Sequence, residues 1–162
     1  NSKDSEFLGV DILLPKTKPI LLAAAYRPPK DNDFYSRLED TFLNSPSFVQ
    51  QESIFLGDFN TDILAKKDNS LKRSLNNFLK IFDMSQLINE PTMITDTSQT
   101  AIDLIFSSDA DKITQSGVLP CKISDHNVIL CTRKVNKCAF NRHNVTKIRS
   151  MKNYDEIGRA HV

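Results

Sequence analysis

Most apolar residues of the chain fall into short runs that have the length of β-strands. The run at residues 19–26 is apolar on both faces, which predicts a buried strand, and it stops before Pro28 because proline cannot continue a hydrogen-bonded ladder. Two other segments, 33–43 and 70–82, repeat apolar residues at helical spacing and predict amphipathic helices. We predict strands at residues 7–14, 19–26, 53–57, 101–107, 113–119 and 126–132.

The order of these elements predicts the fold class. Strands alternate first with helices and then with each other, which indicates an α/β domain with a mixed sheet and helices on one face. A content of 40% hydrophobic and 25% charged residues is typical of a globular domain. No apolar run approaches the roughly 18 residues that a membrane span needs. The three cysteines lack C-x-x-C spacing, which favours buried thiols in a reducing compartment over a disulfide or zinc site.

The motif Gly-Asp-Phe-Asn at residues 57–60 directly follows a predicted strand. Side chains alternate along an extended backbone, so Asp58 and Asn60 are expected on the same side, and Gly57 permits a close backbone approach. A carboxylate here can hold or deprotonate a water molecule, and an amide can donate to a phosphate oxygen. Asp and Asn after a strand are also common turn formers, so the motif alone leaves both interpretations open.

Asp103 interrupts an otherwise apolar strand, and a buried carboxylate without a partner costs several kcal/mol. His126, at the start of another predicted strand, is the natural partner because an Asp that accepts from a His ring fixes the tautomer of that ring. The alternative for His126 is a solvated loop histidine. We favour the pair because all these motifs lie at the end of, or within, separate strands, which is how α/β catalytic sites are assembled.

Four motifs occur in chain order: Tyr-Arg-Pro-Pro at 26–29, Gly-Asp-Phe-Asn at 57–60, Ile-Asp-Leu-Ile-Phe at 102–106 and Ser-Asp-His at 124–126. Together they resemble the endonuclease/exonuclease/phosphatase superfamily, and more narrowly the apurinic/apyrimidinic-type endonuclease domain of non-LTR retrotransposons. The resemblance runs from about residue 8 to about residue 132 and implies a partial two-sheet α/β sandwich. Family members carry an Asn strand and a metal-binding Glu strand that nothing before Tyr26 matches, so we expect N-terminal strands to be missing and the chain alone to be inactive.

The resemblance implies hydrolysis of a DNA phosphodiester with Mg²⁺ as the cofactor and Mn²⁺ as an alternative. Asp58 would orient and deprotonate the attacking water. Asn60 would bind a phosphate oxygen or help to hold that water. His126, oriented by Asp103, would donate to a non-bridging oxygen and stabilise the developing charge.

Four further residues receive roles from the same resemblance. Asp125 would lie in or near the ligand shell of the metal. Tyr26 would place its phenol against the scissile phosphate, or else pack on a neighbouring proline. Arg27 and Thr92 are weaker DNA-contact candidates, since Arg27 could equally form a surface ion pair and Thr92 could be a turn residue.

Charge is distributed unevenly between the two parts of the chain. Residues 133–162 hold eight Lys/Arg and two acidic residues, a net charge of +6, whereas residues 1–132 have a net charge of −5. This pattern is typical of a nucleic-acid-binding extension, but a solvated linker is an equal alternative. We interpret 1–135 as the endonuclease domain, 136–155 as a basic linker towards a reverse transcriptase outside this chain, and 156–162 as an adapter-derived tail.

The expected function is nicking of DNA for target-primed reverse transcription, inside the cell and in the nucleus at the time of action. One alternative is a catalytically dead fragment that at most binds nucleic acid. Another is a repair-type apurinic endonuclease or a different phosphodiesterase of the superfamily. The Tyr-Arg-Pro-Pro motif and the long basic continuation past His126 argue against this last group.

Overall fold

A five-stranded mixed sheet forms the centre of the computed structural model, which describes residues 6–45, 48 and 50–135. Among the described residues, helix α1 spans Phe34–Leu43, helix α2 spans Ser70–Ile81, and a short 3₁₀ helix spans Ala110–Lys112. The strands are β1 (Glu6–Ile12), β2 (Ile20–Tyr26), β3 (Glu52–Asp58), β4 (Ser85–Gln86), β5 (Met93–Ile94), β6 (Gln99–Thr100), β7 (Asp103–Ser107), β8 (Ile113–Leu119) and β9 (Val128–Arg133).

The central sheet has the strand order β1-β2-β3-β7-β4. Only β2 and β3 run parallel, and every other adjacent pair in this sheet is antiparallel. Strands β5 and β6 form a small ribbon, and β8 and β9 form an antiparallel hairpin with an irregularity between Ile113 and Gln115. The predicted α/β class, with a mixed sheet and helices on one face, is confirmed.

Both helices cover one face of the central sheet. The spacing that predicted α1 places Leu38 and Phe42 against the sheet, and α2 does the same with Leu75 and Phe78. Aromatic rings fill this layer, and the Phe42 ring lies 4.9 Å from that of Phe55 on β3. Burying a large apolar side chain contributes roughly 1.5–3 kcal/mol, so this layer supplies much of the driving force for folding.

The opposite face of the sheet is only partly covered. Ile54 and Ile105 pack there beneath Val118 and Ile129 of the β8–β9 hairpin. The cover does not extend over β1, where Leu8 is 67% exposed. The sheet therefore has one complete hydrophobic layer and one that ends part of the way across.

Gly57 allows β2 and β3 to approach closely near their C-terminal ends. Its φ is +151°, and a Cβ atom at this position would lie 1.9 Å from the carbonyl oxygen of Ala25. The close backbone approach predicted for Gly57 is confirmed. This contact brings the ends of the two parallel strands together at the edge where the candidate site residues lie.

Some expectations from the sequence differ from the structure or fall outside it. Cys121 and Cys131 are free thiols that are partly exposed, so the prediction that they are buried is wrong. Cys131 lies on β9 and Cys121 in the connection from β8 to β9, and this outer hairpin is itself only partly buried. Cys138 and residues 136–162, including the proposed linker and tail, lie outside the described residues. Among the described residues, no helix is long and apolar enough to cross a membrane.

Candidate active site

Tyr26, Asp58 and Asp103 lie in register on three adjacent strands. Tyr26 is the partner of Asp58 across the parallel pair β2–β3, and Asp58 is the partner of Asp103 across the antiparallel pair β3–β7. Residues that face each other across a ladder project to the same side of the sheet. The phenol and the two carboxylates therefore share the edge of the face that the β8–β9 hairpin partly covers.

His126 joins this group through Asp103. The His126 Nδ1 lies 3.0 Å from Oδ2 and 3.2 Å from Oδ1 of Asp103, whose side chain is 14% exposed. A ring that donates from Nδ1 to a carboxylate has a fixed orientation, and its Nε2 is left for a substrate. The histidine side chain is 35% exposed, so that second nitrogen is within reach of solvent.

Backbone hydrogen bonds from the segment around β5 hold the loop that carries His126. Met93 forms an isolated antiparallel bridge with His126, and the Ile94 N–H donates to the Asp125 carbonyl over 2.9 Å. Ser124 adds a local contact, because its hydroxyl accepts from the His126 N–H at 3.1 Å and lies 3.2 Å from an Asp125 carboxylate oxygen. Ser124 belongs to the Ser-Asp-His motif, but it received no role from the sequence, although a serine two residues before a histidine is a signal for a local turn.

Burial raises the pKa of Asp58 above its ordinary value, and the neighbouring Asp103 carboxylate raises it further. The Asn60 backbone N–H, which donates to Asp58 Oδ1 over 2.9 Å, opposes this shift, as do electrostatic interactions with His126 and Arg27. A carboxylate with a raised pKa is a stronger base than an ordinary Asp. Desolvation therefore suits Asp58 to accept a proton from water.

Asn60 adopts a positive φ of 44° directly after β3, a conformation that Asn tolerates better than most residues. Its side-chain amide donates to the Arg27 carbonyl at 2.8 Å and to Asp58 Oδ2 at 3.1 Å. The amide hydrogens are thus used inside the site. A hydrogen bond from this amide to a phosphate oxygen would have to replace one of them.

The expectation that Arg27 contacts DNA is corrected by its burial. Its side chain has no exposed surface, and its donors reach backbone carbonyls, including those of Phe59 and Asn60. The fold draws the side chain inward because the loops after β2 and β3 leave carbonyl groups that need donors. Arg27 is therefore a structural part of the site and is not available to a nucleic acid at the surface.

Thr92 is corrected in the same way. It is fully buried, and its hydroxyl oxygen accepts from the backbone N–H groups of Ile102, at 3.1 Å, and Asp103, at 2.9 Å. Its own carbonyl accepts from the Asn127 N–H at 2.6 Å. Thr92 therefore links the segments that carry Asp103 and His126 and has no surface to offer to DNA.

Tyr26 and Asp125 are the accessible members of the group. Tyr26 is 40% exposed and Asp125 is exposed, so both can meet a ligand from solvent. The Asp125 carboxylate fits one ligand position of Mg²⁺, which prefers oxygen ligands and keeps several waters. Within the described ranges, no group of three or more His, Cys, Asp or Glu side chains could hold a metal ion.

Comparison with solved structures finds the same fold in several proteins. The endonuclease domain of TRAS1, a telomere-specific non-LTR retrotransposon, matches with a TM-score of 0.67 and 22% identity over 81% of this chain and 64% of that domain. An endonuclease/exonuclease/phosphatase family protein from Leptotrichia buccalis matches with a TM-score of 0.62 and 17% identity over 80% of this chain and 54% of that one. The chain thus spans less than two thirds of each of these structures.

A more distant match is the cytolethal distending toxin from Actinobacillus actinomycetemcomitans, with a TM-score of 0.53 and 15% identity over 77% of this chain and 52% of that one. At these identities the structural matches establish the fold. Comparison with curated proteins found no match. The model of the endonuclease-reverse transcriptase family matches residues 20–130, which include every candidate site residue. This chain belongs to the endonuclease-reverse transcriptase family.

Proposed function

We propose that this chain carries the active site of a DNA-nicking endonuclease whose cut primes reverse transcription by the parent retrotransposon. The observation that carries the proposal is the convergence of Tyr26, Asp58 and the Asp103–His126 pair at one edge of the sheet. The family description and the TRAS1 match support a DNA substrate and a reverse transcriptase in the same polyprotein. The element would then act in the nucleus, where its target DNA is.

Asp58 acts as the general base in this mechanism. Its raised pKa favours proton transfer from a water molecule held in line with the scissile phosphorus. The Asn60 backbone N–H donates to one carboxylate oxygen of Asp58 and so fixes the plane and direction of the whole carboxylate. A base with a fixed orientation lowers the entropic part of the activation free energy, because the nucleophile is already positioned.

The Asp103–His126 pair stabilises charge on the phosphate. While the Nδ1 N–H donates a hydrogen bond to Asp103, the protonated ring can also donate from Nε2 to a non-bridging oxygen. The Asp103 carboxylate stabilises this imidazolium. Tyr26, on the neighbouring strand, offers its phenol to the same phosphate. Mg²⁺, with Asp125 as one ligand, would supply additional charge relief when bound.

Nicking of supercoiled plasmid DNA in Mg²⁺, and in Mn²⁺, tests the proposal. It is measured for this chain and for a form extended at its N-terminus with the corresponding TRAS1 segment. We expect activity in the extended form, because the resemblance implies an upstream metal-binding Glu. Asp58→Ala and His126→Ala should each lower the nicking rate by roughly 10²–10⁴-fold, the range for loss of a general acid or base.

Asp103→Asn and Asp109→Asn form a matched pair for the same assay, since these carboxylates lie near opposite ends of β7. Asp109 pairs with Lys112, away from His126. We expect Asp103→Asn to lower the rate about 10–100-fold, as for partners that orient a functional histidine, and Asp109→Asn to leave it near the wild-type value. Equal effects of the two substitutions, or no metal-dependent nicking by either polypeptide, would contradict the proposed function.

A further inference from the structure

Arg27 is a buried cation whose guanidinium donates hydrogen bonds to two loops. Its Nε and Nη2 donate to the carbonyls of Phe59 and Asn60 in the loop after β3. Its Nη1 donates to the carbonyls of Pro28, at 3.0 Å, and Asp31, at 2.8 Å, in the loop after β2. Burying a charge is costly unless it is well hydrogen-bonded, so this arrangement must gain from joining the loops.

Hydrogen bonds of the Arg27 backbone join the same two segments in both directions. The Arg27 N–H donates to the Asp58 carbonyl over 2.9 Å, and the Asn60 amide donates to the Arg27 carbonyl over 2.8 Å. The backbone and side chain of Arg27 thus contact three successive residues that begin with Asp58. This reciprocal network defines the spacing between the end of β2, where Tyr26 lies, and the end of β3.

The backbone at Asn60 needs such support because its positive φ is uncommon for a residue other than glycine. A conformation of this kind is strained for most residues other than glycine and persists where the surroundings determine it. The guanidinium fixes the Asn60 carbonyl, and the N–H of the same residue donates to Asp58 Oδ1. The orientation of the Asp58 carboxylate therefore depends on a backbone conformation that Arg27 holds.

We propose that Arg27 is a positioning residue for the candidate active site, whose guanidinium holds the backbone of residues 59–60 so that Asp58 stays oriented beside Tyr26. The catalytic consequence rests on the proposed function, whereas the positioning itself does not. The rigid fork of the guanidinium is essential, because it serves carbonyls on both loops at once. A lysine ammonium keeps the charge but cannot reproduce that planar geometry.

Amide hydrogen exchange in the full chain tests the positioning directly. The variants are Arg27→Lys, Arg27→Met and the control Leu75→Ala, which removes buried apolar volume in α2 but no hydrogen-bond donor of either loop. We expect the protection of the Asn60 amide against exchange to fall at least about tenfold more in the Arg27 variants than that of core amides of β3, such as Phe55. The reason is that losing the guanidinium opens the loop locally and leaves the sheet closed. The control should lower protection by a common factor throughout the core. A uniform loss in Arg27→Lys would reject the proposal.

Nicking kinetics of the same variants, in whichever polypeptide cuts DNA, test the consequence. We expect kcat to fall about 10–100-fold while KM stays within about twofold, since Arg27 touches no DNA but orients the base. Wild-type kcat together with wild-type exchange at Asn60 in Arg27→Lys would overturn the proposal. If neither polypeptide nicks, the proposed function fails while the exchange result still decides the role of Arg27. Arg27→Lys, the milder change, keeps the test decisive if Arg27→Met does not fold.

Discussion

Polar side chains at the edge of the sheet fall into two groups that differ in burial. Arg27 and Thr92 are fully buried and hydrogen-bond the backbone. Tyr26 and His126 remain partly exposed. The buried group sets the geometry of the loops, and the accessible group is the one that can meet a substrate.

Asp58 lies between these groups, and its ionisation should affect stability. Its pKa is raised, chiefly by burial, so the folded state binds the proton more tightly than the unfolded state does. A group of this kind contributes stability below its unfolded pKa, and that contribution is lost as the pH rises through the folded pKa. At neutral pH the charged carboxylate is therefore a cost that folding must offset.

We predict that Asp58→Asn raises the melting temperature at pH 7. The substitution removes the partly buried charge and its repulsion with Asp103. The new amide oxygen can still accept from the Asn60 N–H, and the bond lost is the one from the Asn60 side-chain amide to Oδ2. The difference from wild type should shrink as the pH falls below the pKa of Asp58. Thermal unfolding of both proteins between pH 4 and pH 7 measures this, and a lower melting temperature of the variant at pH 7 would contradict the argument.

Between elements, the short segment that contains β5 connects the start of β7, which carries Asp103, to the loop that carries His126. Thr92 supplies a hydroxyl acceptor to the start of β7, while its neighbours Met93 and Ile94 bond the loop that carries His126. The segment is too short to bury much apolar surface. Its hydrogen bonds are therefore what align Asp103 with the histidine.

We predict that Thr92→Val destabilises the fold by roughly 2 kcal/mol or more, because it leaves two buried N–H groups without their acceptor. Valine has nearly the same shape, so the loss reports on hydrogen bonding and not on packing. Thr92→Ser keeps the hydroxyl and is the control, with a smaller expected effect. Urea unfolding monitored by circular dichroism provides the free energies. A Thr92→Val protein as stable as Thr92→Ser would reject this role for the hydroxyl.

The contact between β2 and β3 gives a second prediction at this scale. Gly57→Ala would place a Cβ atom 1.9 Å from the Ala25 carbonyl oxygen and force a positive φ on a residue with a side chain. We expect a loss of stability of about 3 kcal/mol or more, or failure to fold, because the strands would have to separate. Gly117→Ala is the matched control, since nothing lies within 4 Å of its added Cβ. Equal melting temperatures for the two variants would show that the strands can relax.

The pairing of Asp103 with His126 could be predicted from the sequence because a carboxylate within an apolar strand has few choices of partner. The longer strands follow from their apolar runs, whereas the two-residue strands β4, β5 and β6 are not predicted, because they have no apolar run of their own. Strand β7 starts two residues later than predicted because residues 101–102 hydrogen-bond the loops beside it. The burial of Arg27 could not be predicted. It depends on where the loop after β3 directs its carbonyls, which no periodicity encodes.

Charge distribution across the whole molecule also differs from a simple division into an acidic body and a basic tail. Arg133, the first residue of the basic region, is paired with Glu52 on β3, and Lys112 binds the same carboxylate at 2.9 Å. The Arg133 contact is the main cause that lowers the pKa of Glu52. Arg133 therefore belongs to the folded domain and ties the β8–β9 hairpin to the end of the sheet opposite the candidate site.

The part of the sheet that the hairpin leaves uncovered presents an apolar surface. Leu8, Val10 and Ile12 alternate along β1, so they share one face, and they are 67%, 48% and 38% exposed. Their ladder partner Ala24 is exposed as well. β1 is also an edge strand, with backbone groups that can pair with another chain. A contiguous apolar face beside an open edge favours association.

We predict that the chain binds a hydrophobic dye and self-associates at micromolar concentration, and that the double substitution Leu8→Lys with Val10→Thr reduces both. The variant should unfold at nearly the wild-type temperature, because the replaced side chains are already exposed and threonine keeps a high strand propensity. Ile81→Lys, which changes an exposed apolar residue at the end of α2, is the control and should have little effect on association. Dye fluorescence and light scattering over a concentration series measure the outcome. A wild-type chain that stays monomeric without dye binding would show that this face does not drive association.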